Sequence, residues 1–102
     1  MSLPRRSLLR AASGALALVP LGGVTVLRKF HQGVTVPAHI HPEANESVYI
    51  LSGEWEEGGV THTTGAFFFA PRGIAHGPHI ARTEVISLTV FDGPLTFRYA
   101  NA

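Results

Sequence analysis

One pattern of histidines and a carboxylate constrains this chain more than any other feature. His39 and His41 lie two residues apart, Glu46 follows five residues later, and Gly33 and Gly53 stand on either side of the group. Side chains alternate across a β-strand, so the two histidines point to the same face if this stretch is extended. Two imidazoles on one face can bind a single ion, and a carboxylate at the start of the next strand can lie beside them. The stretch therefore predicts a metal site carried on β-strands.

A second glycine-rich stretch supplies a third imidazole. Residues 65–79 read GAFFFAPRGIAHGPH, and His76 follows the Pro-Arg-Gly turn inside this stretch. With the first stretch it gives three neutral nitrogens and one anionic oxygen, a set that leaves open positions on an octahedral ion. The chain contains no cysteine, so thiolate sites and disulfides are excluded.

Other polar side chains compete for roles at this site. Glu43 is an alternative carboxylate, but a Pro-Glu-Ala-Asn turn places it beyond the end of the strand. His79 is predicted to be a polar residue at the rim of the site, and the alternatives are a place behind the ligands or facing a substrate. Arg72 and Arg82 are the cations that could meet an anionic substrate, although a surface position is favoured for each.

Turn residues scattered along the chain favour an all-β fold. The 102 residues include 11 glycines and 7 prolines, and only 15% are charged, which favours one compact β domain over a helical or disordered chain. Residues 47–51 are dense in β-branched and aromatic side chains, and a Gly-Gly turn follows at 58–59. About eight short strands are expected, arranged as a small antiparallel jelly-roll β-barrel. Most aromatic residues, including those of the strand 67–69, are expected in its core.

Residues 1–23 form a separate segment before the predicted domain at 24–102. Three arginines in the first ten residues precede an apolar run at 11–21, an order that is typical of an export signal. The arginine pair resembles that of the twin-arginine signal, which would make the protein periplasmic or exported. The alternative is a cytoplasmic protein in which this segment is an N-terminal helix. No membrane span is predicted, because crossing a bilayer needs ~20 apolar residues.

The charge of the predicted domain bears on its partners. From residue 24 onward five Lys and Arg residues stand against seven Asp and Glu residues, a formal charge of −2. No basic stripe for nucleic acid is present, so no nucleic-acid partner is expected.

A domain of about 79 residues buries only a modest core. Tyr49 and Leu51 are expected to point away from the metal face, so a homodimer formed through that outer face is predicted.

The spacing of both stretches resembles the two sequence motifs of the cupin superfamily. The specified positions stand at fixed gaps, Gly33-x5-His39-x-His41-x4-Glu46-x6-Gly53 and Gly65-x5-Pro71-x-Gly73-x2-His76. The resemblance extends over most of residues 24–99 and implies a jelly-roll fold. It also implies that one divalent metal ion is bound by His39, His41, Glu46 and His76. Fe²⁺ is the first expectation, with Zn²⁺, Mn²⁺ or Ni²⁺ as alternatives.

The short segment between the two motifs resembles that of compact cupins. These include the zinc-binding cupin of anti-sigma factors and small dioxygenase-type cupins that act on diketones or hydroxyphenyl ketones. The first hypothesis is therefore a metal-dependent dioxygenase acting on a small diketone or aromatic substrate, with Glu46 as a ligand or, if it detaches, as a catalytic base. The second is a non-catalytic metal- or ligand-binding or sensor cupin, and a third is an isomerase. The sequence leaves these open, because it contains no independent motif that anchors a substrate.

Overall fold

The structure, a computed structural model, describes residues 22–100. Ten strands follow one another in this part of the chain: β1 (Val24–Phe30), β2 (Thr35–Val36), β3 (His39–Ile40), β4 (Glu46–Ser52), β5 (Trp55–Glu57), β6 (Val60–His62), β7 (Phe67–Ala70), β8 (His79–Ala81), β9 (Val85–Phe91) and β10 (Arg98–Tyr99). The described residues include no helix that is long and apolar enough to cross a membrane. The predicted leader lies outside them except for Gly22 and Gly23, so the export signal stays a prediction.

Two four-stranded antiparallel sheets form the body of the described chain. One has the strand order β1-β9-β4-β7, the other has the order β2-β8-β5-β6, and β10 pairs with β3 beside them. Strands that are neighbours in a sheet are mostly distant in sequence, so the chain passes repeatedly between the sheets, as in a jelly roll. The all-β jelly-roll prediction is confirmed, although these pairings form separate sheets instead of one closed barrel. Three strands have only two residues each, too few for an alternation pattern to reveal them in the sequence.

The inward side chains of β4 change from polar to apolar along the strand. On β4 the inward side chains are Glu46, Val48 and Ile50, and each is almost fully buried. The apolar part of this interior is one cluster formed by Val48, Ile50, Trp55, Ala81 and Val85. Each large apolar side chain in it contributes roughly 1.5–3 kcal/mol by leaving water. This core supports one side of the polar cluster that begins at Glu46.

Strand alternation places several aromatic residues outside the core, contrary to the sequence prediction. In β7 Phe68 packs against the core, but Phe67 and Phe69 are 64% and 54% exposed. Successive side chains of a strand point to opposite faces, so three consecutive phenylalanines cannot all be buried on one side. Phe97 and Tyr99 near β10 are also about half exposed.

A row of exposed apolar side chains crosses the outer face of the first sheet. The register of the strands aligns Leu27 with Leu88, Leu88 with Tyr49, and Tyr49 with Phe67. Each of the four is more than a third exposed. We call these four residues the outer apolar row, and they lie on the side of the sheet opposite to the inward-pointing Glu46.

Gly53, in the turn between β4 and β5, is held to glycine by two independent constraints. Its φ of +96° lies in the left-handed region, which residues with a Cβ rarely adopt. A Cβ at this position would also overlap the backbone carbonyl of Glu84. Gly33 has a similar φ of +88°, but no atom lies within 4 Å of the place its Cβ would take. Substitutions at the two glycines therefore distinguish the cost of backbone strain alone from the cost of strain and steric overlap together.

We predict that Gly53→Ala lowers the free energy of unfolding more than Gly33→Ala does. Strain at a left-handed position costs about 1–2 kcal/mol, which is the loss expected for Gly33→Ala. Gly53→Ala must also displace the Glu84 carbonyl, so its expected loss is about 3 kcal/mol or more. Urea denaturation measures both losses, and equal values would mean that the carbonyl moves aside without cost.

Candidate metal centre

A pair of backbone hydrogen bonds brings the two histidine-bearing stretches together. The N–H of His39 donates to the carbonyl of His76, and the N–H of His76 donates to the carbonyl of His39, each over 2.9 Å. Two residues that exchange both bonds in this way form an antiparallel bridge, which here joins β3 to the segment before β8. The bridge fixes the two imidazoles side by side, with ring centroids 4.3 Å apart.

Four predicted side chains converge beside this bridge. Oε1 of Glu46 lies 3.1 Å from Nε2 of His41 and 3.5 Å from Nε2 of His76. The ring centroids of His39 and His41 are 4.8 Å apart. One potential ligand atom from each of the four residues lies within 4.8 Å of the other three. His39, His41 and Glu46 are buried, and His76 is half-buried.

The outward-facing nitrogens of two imidazoles are held by the backbone. Nδ1 of His39 lies 2.8 Å from the carbonyl oxygen of Pro37, and Nδ1 of His41 lies 2.9 Å from that of Thr96. A carbonyl oxygen only accepts, so Nδ1 carries the proton in both rings. When either ring is neutral, its lone pair is therefore on Nε2 and faces the cluster, which is the tautomer that a metal ligand needs.

The third imidazole faces a carboxylate that the sequence did not reveal. Nδ1 of His76 lies 3.6 Å from Oε2 of Glu57, and Nε2 of His79 lies 3.6 Å from Oε1 of the same carboxylate. These two histidines hold the pKa of Glu57 far below its usual range. Glu57 thus stays ionised and places a negative charge behind the ring of His76, although Nδ1 of His76 has no hydrogen-bond partner in the described chain.

His79 is buried, so its predicted position at the rim is wrong. Its ring stacks on Trp55 with the ring centroids 5.1 Å apart, and its side chain is 4% exposed. The packing of an imidazole on a core indole, with Glu57 beside it, accounts for the burial. Glu57, His76 and His79 form a second group of close potential ligands, and since it shares His76 it belongs to the same site.

Two polar atoms of the cluster indicate that a cation fits there. Oε1 of Glu46 and Nε2 of His76 are buried and have no hydrogen-bond partner among the described residues. Leaving a buried polar atom unpaired costs about 1–3 kcal/mol, and a positive ion between the two atoms would remove that cost for both. Three imidazole nitrogens with one carboxylate oxygen suit a divalent transition metal. The residues present therefore fit such an ion.

The charges of the cluster depend on burial and on near neighbours. Burial lowers the pKa of His39, which keeps its imidazole neutral. Burial opposes ionisation of Glu46, but His41 and Arg28 outweigh it and lower the pKa of this carboxyl. Burial likewise opposes protonation of His41, yet Glu46 and the Thr96 carbonyl raise the pKa of this imidazole. Without a metal ion, Glu46 and His41 thus favour the charged form of each other.

Arg28 is a cation of the site that sequence reasoning missed. Its Nη2 donates to Oε2 of Glu46 over 3.0 Å and to Oγ1 of Thr89 over 2.7 Å. The cations considered from the sequence lie elsewhere: Arg82 pairs with Glu56 on the surface over 2.7 Å, and Arg72 is exposed. A signal for Arg28 does exist, because the other half-buried positions of β1 are all apolar.

Glu43, the alternative carboxylate, lies outside the cluster. It is exposed, and Oγ1 of Thr96 donates to its Oε2 over 2.9 Å. The turn after His41 therefore carries Glu43 to the surface, while Glu46 begins β4 with its side chain inward.

The cluster borders two cavities. The larger has a volume of about 570 Å³ and is bordered by His39, His41 and Arg28 together with apolar side chains. The smaller, of about 180 Å³, reaches Glu46 and His76 and is bordered by Trp55. Small-molecule sites usually occupy ~300–1,000 Å³, so the larger cavity could admit a small organic ligand to the histidines.

Several proteins of known structure have a similar fold. Oxalate oxidase in complex with glycolate aligns with a TM-score of 0.63 and 26% identity, over 78% of this chain and 46% of its own. An RmlC-like cupin from Shewanella frigidimarina NCIMB 400 gives 0.61 and 27%, over 69% of this chain and 65% of its own. An acetylacetone dioxygenase from Acinetobacter johnsonii gives 0.66 at 23% identity, over 78% and 57%, and at this identity shows the fold alone. Fold and histidine motifs together define a cupin.

A family model specifies the class further. The model described as the ChrR Cupin-like domain matches residues 16–96. The chain therefore belongs to the ChrR cupin-like domain family. A comparison with curated proteins gave no match. The chain spans only 46% to 65% of the length of the three similar solved chains, so their whole-protein activities bear on it only as proposals.

We predict that His41→Ala lowers metal affinity much more than His62→Ala. His41 offers Nε2 to the cluster, whereas His62, on β6, stacks on Phe68 and in the described chain approaches only Glu57, over 3.8 Å. Loss of a group that only orients a ligand typically costs ~10–100-fold in metal affinity, and loss of the ligand itself should cost more. Metal content measured after equal loading and dialysis tests this, and equal occupancy in the two variants would contradict it.

Proposed function

We propose that His39, His41, Glu46 and His76 bind one divalent metal ion and that the protein is a metal-dependent dioxygenase acting on a small diketone or aromatic substrate. The observation that carries this proposal is the position of the cluster at the wall of a cavity of about 570 Å³. A purely structural site would need no such access. Fe²⁺ is the proposed ion, with ligand atoms expected ~2.0–2.2 Å from it, a range typical of nitrogen and oxygen ligands.

The ligand set suits an ion that also binds substrate. Four protein ligands leave two positions of an octahedral ion open, which a bidentate enol or catechol-like molecule can fill. When bound, a ferrous ion supplies a redox-active Lewis acid that activates such a molecule towards dioxygen. The rings of His39 and His41 donate from Nδ1 to the carbonyls of Pro37 and Thr96, which keep both rings in one orientation, so no reorganisation of these two side chains is needed when substrate arrives.

Glu46 can act as both a ligand and a base, because its two oxygens have different partners. Oε2 is held by Arg28, while Oε1 faces His41 and His76. If Oε1 detaches, the carboxylate stays anchored through Oε2 and can accept the acidic proton of an enolisable substrate. The lowered pKa of Glu46 keeps it ionised, as a ligand or a base must be, and also makes it a weaker base than an ordinary carboxylate.

A non-catalytic zinc-binding or sensor cupin is the second candidate. Four protein ligands can also complete a closed tetrahedral zinc site, which would leave no position for a substrate. Membership of the ChrR cupin-like domain family is compatible with either candidate. Oxalate oxidase, at 26% identity, lends support to oxidative chemistry, although the alignment covers less than half of that chain.

We predict that the iron-loaded protein consumes dioxygen with one class among β-diketones, flavonols and hydroxyaryl ketones. His76→Ala should abolish this uptake, because it removes a ligand at the bridge between the two stretches. His62→Ala should retain it, since that residue stacks on Phe68 outside the cluster. An oxygen electrode measures uptake, and metal analysis of the protein as purified identifies the ion. Tightly bound zinc, together with no uptake by the iron-loaded protein, would favour the non-catalytic candidate.

We also propose that the protein is a homodimer formed through the outer apolar row. Four aligned apolar side chains on one sheet face make a surface that a second copy can cover with the same residues. Leu88 is at the centre of this row, since it pairs with both Leu27 and Tyr49.

We predict that light scattering gives the mass of a dimer and that Leu88→Glu shifts it towards a monomer. A charge in the centre of an apolar contact must lose its hydration when the contact forms, which opposes association. Val60→Glu is the control, because Val60 is also an exposed apolar residue but lies on the other sheet. A wild-type monomer at micromolar concentration would contradict the proposal.

A further inference from the structure

Arg28 has donors that the described part of the chain does not use. A guanidinium carries five N–H donors. The hydrogen bonds of Arg28 to Glu46 and Thr89 both leave from Nη2. Its Nε is buried and has no partner among the described residues. A buried donor without an acceptor is costly, so an acceptor supplied by a ligand would be favoured here.

The charge at the wall of the larger cavity is positive. Arg28 is the one permanently charged side chain among the described residues that border it, and no carboxylate borders it. The carboxylate of Glu46 balances the guanidinium but faces the smaller cavity. A divalent ion held by the proposed ligands would add two further positive charges. A molecule that enters the larger cavity therefore meets an excess of positive charge, which favours an anion.

Much of the rest of the lining of this cavity is apolar and aromatic. Phe91, Leu95, Phe97 and Tyr99 border it, and the rings of Phe97 and Tyr99 meet edge-to-face with centroids 5.7 Å apart. Both of these rings are about half exposed in the described chain. A flat apolar group placed against them would remove that surface from water.

We infer that the larger cavity binds a small organic monoanion, with its anionic oxygen at Arg28 and its apolar body against Phe97 and Tyr99. The anionic group is a carboxylate or an enolate, since either supplies the oxygen acceptor that Arg28 lacks. This inference rests on the proposed function in one respect, namely that the bound molecule is the substrate. The anion site itself is formed by Arg28 and the aromatic wall and does not depend on turnover.

Three probes separate charge from shape. 3-Phenylpropanoate carries a carboxylate, 3-phenylpropanamide is its neutral counterpart, and benzoylacetone supplies an enol. Trp55, the single tryptophan of the chain, borders the smaller cavity and not the larger one, so a change in its fluorescence shows that a probe has entered the smaller cavity instead. The full chain is used both metal-free and loaded with zinc, which is redox-inert and prevents turnover. Calorimetry provides the affinity.

We predict that 3-phenylpropanoate binds the wild-type protein about tenfold more tightly than the amide, because its hydrogen bonds to Arg28 are charge-assisted. Arg28→Gln should remove this preference, because it weakens the binding of the carboxylate far more than that of the amide. Arg82→Gln is the matched control, because its partner Glu56 lies on the surface, and it should change neither affinity. Phe97→Ala should weaken both ligands equally, since it removes part of the wall that they share. If benzoylacetone is the one probe whose binding depends on Arg28, the anionic group is an enolate.

Two outcomes would overturn the inference. One is equal affinity for the carboxylate and the amide in the wild-type protein, combined with Arg28-independent binding of benzoylacetone. The other is an unchanged carboxylate preference in Arg28→Gln. If Arg28→Gln fails to fold, the salt dependence of binding to the wild-type protein is the test. Added NaCl must then weaken the binding of 3-phenylpropanoate but not of the amide. If the protein consumes no dioxygen but its ligand binding depends on Arg28, the dioxygenase proposal is rejected and the anion site stands.

Discussion

The antiparallel bridge between His39 and His76 is the contact on which the site depends. Its two backbone hydrogen bonds join stretches that are far apart in sequence and fix the distance between their imidazoles. Since the bonds are between backbone groups, they hold the two stretches together whatever occupies the centre. His41 on one side and Glu46 at the start of β4 complete the cluster around this fixed pair. The jelly roll is thus a means of bringing two separate turns to one point.

A buried polar cluster of this kind needs partners on its outer side. Carbonyl oxygens hold two of the imidazoles, Glu57 faces the third, and Arg28 holds the carboxylate. Among the atoms without a hydrogen-bond partner in the described chain, Oε1 of Glu46 and Nε2 of His76 face each other over 3.5 Å. The outer partners thus orient the side chains of the cluster, and these two atoms fit a cation between them.

The sequence predicted much of this site because its signals are local. The gaps within each histidine stretch determine which side chains share a strand face, and strand alternation needs no knowledge of the rest of the fold. The same rule, applied more strictly, would have placed Phe67 and Phe69 outside. It would also have marked Arg28 as the one charged residue among the inward positions of β1. Both features therefore follow from strand alternation alone and need no tertiary information.

Other features were decided only by tertiary structure. Glu57 approaches His76 because β5 pairs with β8, and the register of that pairing is not written in either strand alone. His79 is buried because Trp55 comes from another strand to stack on it. The chain by itself thus determined the ligand types, their spacing and the all-β fold, since these follow from neighbours along the backbone. The partners behind the ligands and the shape of the cavity come from long-range strand pairing, which sets distances that no local pattern contains.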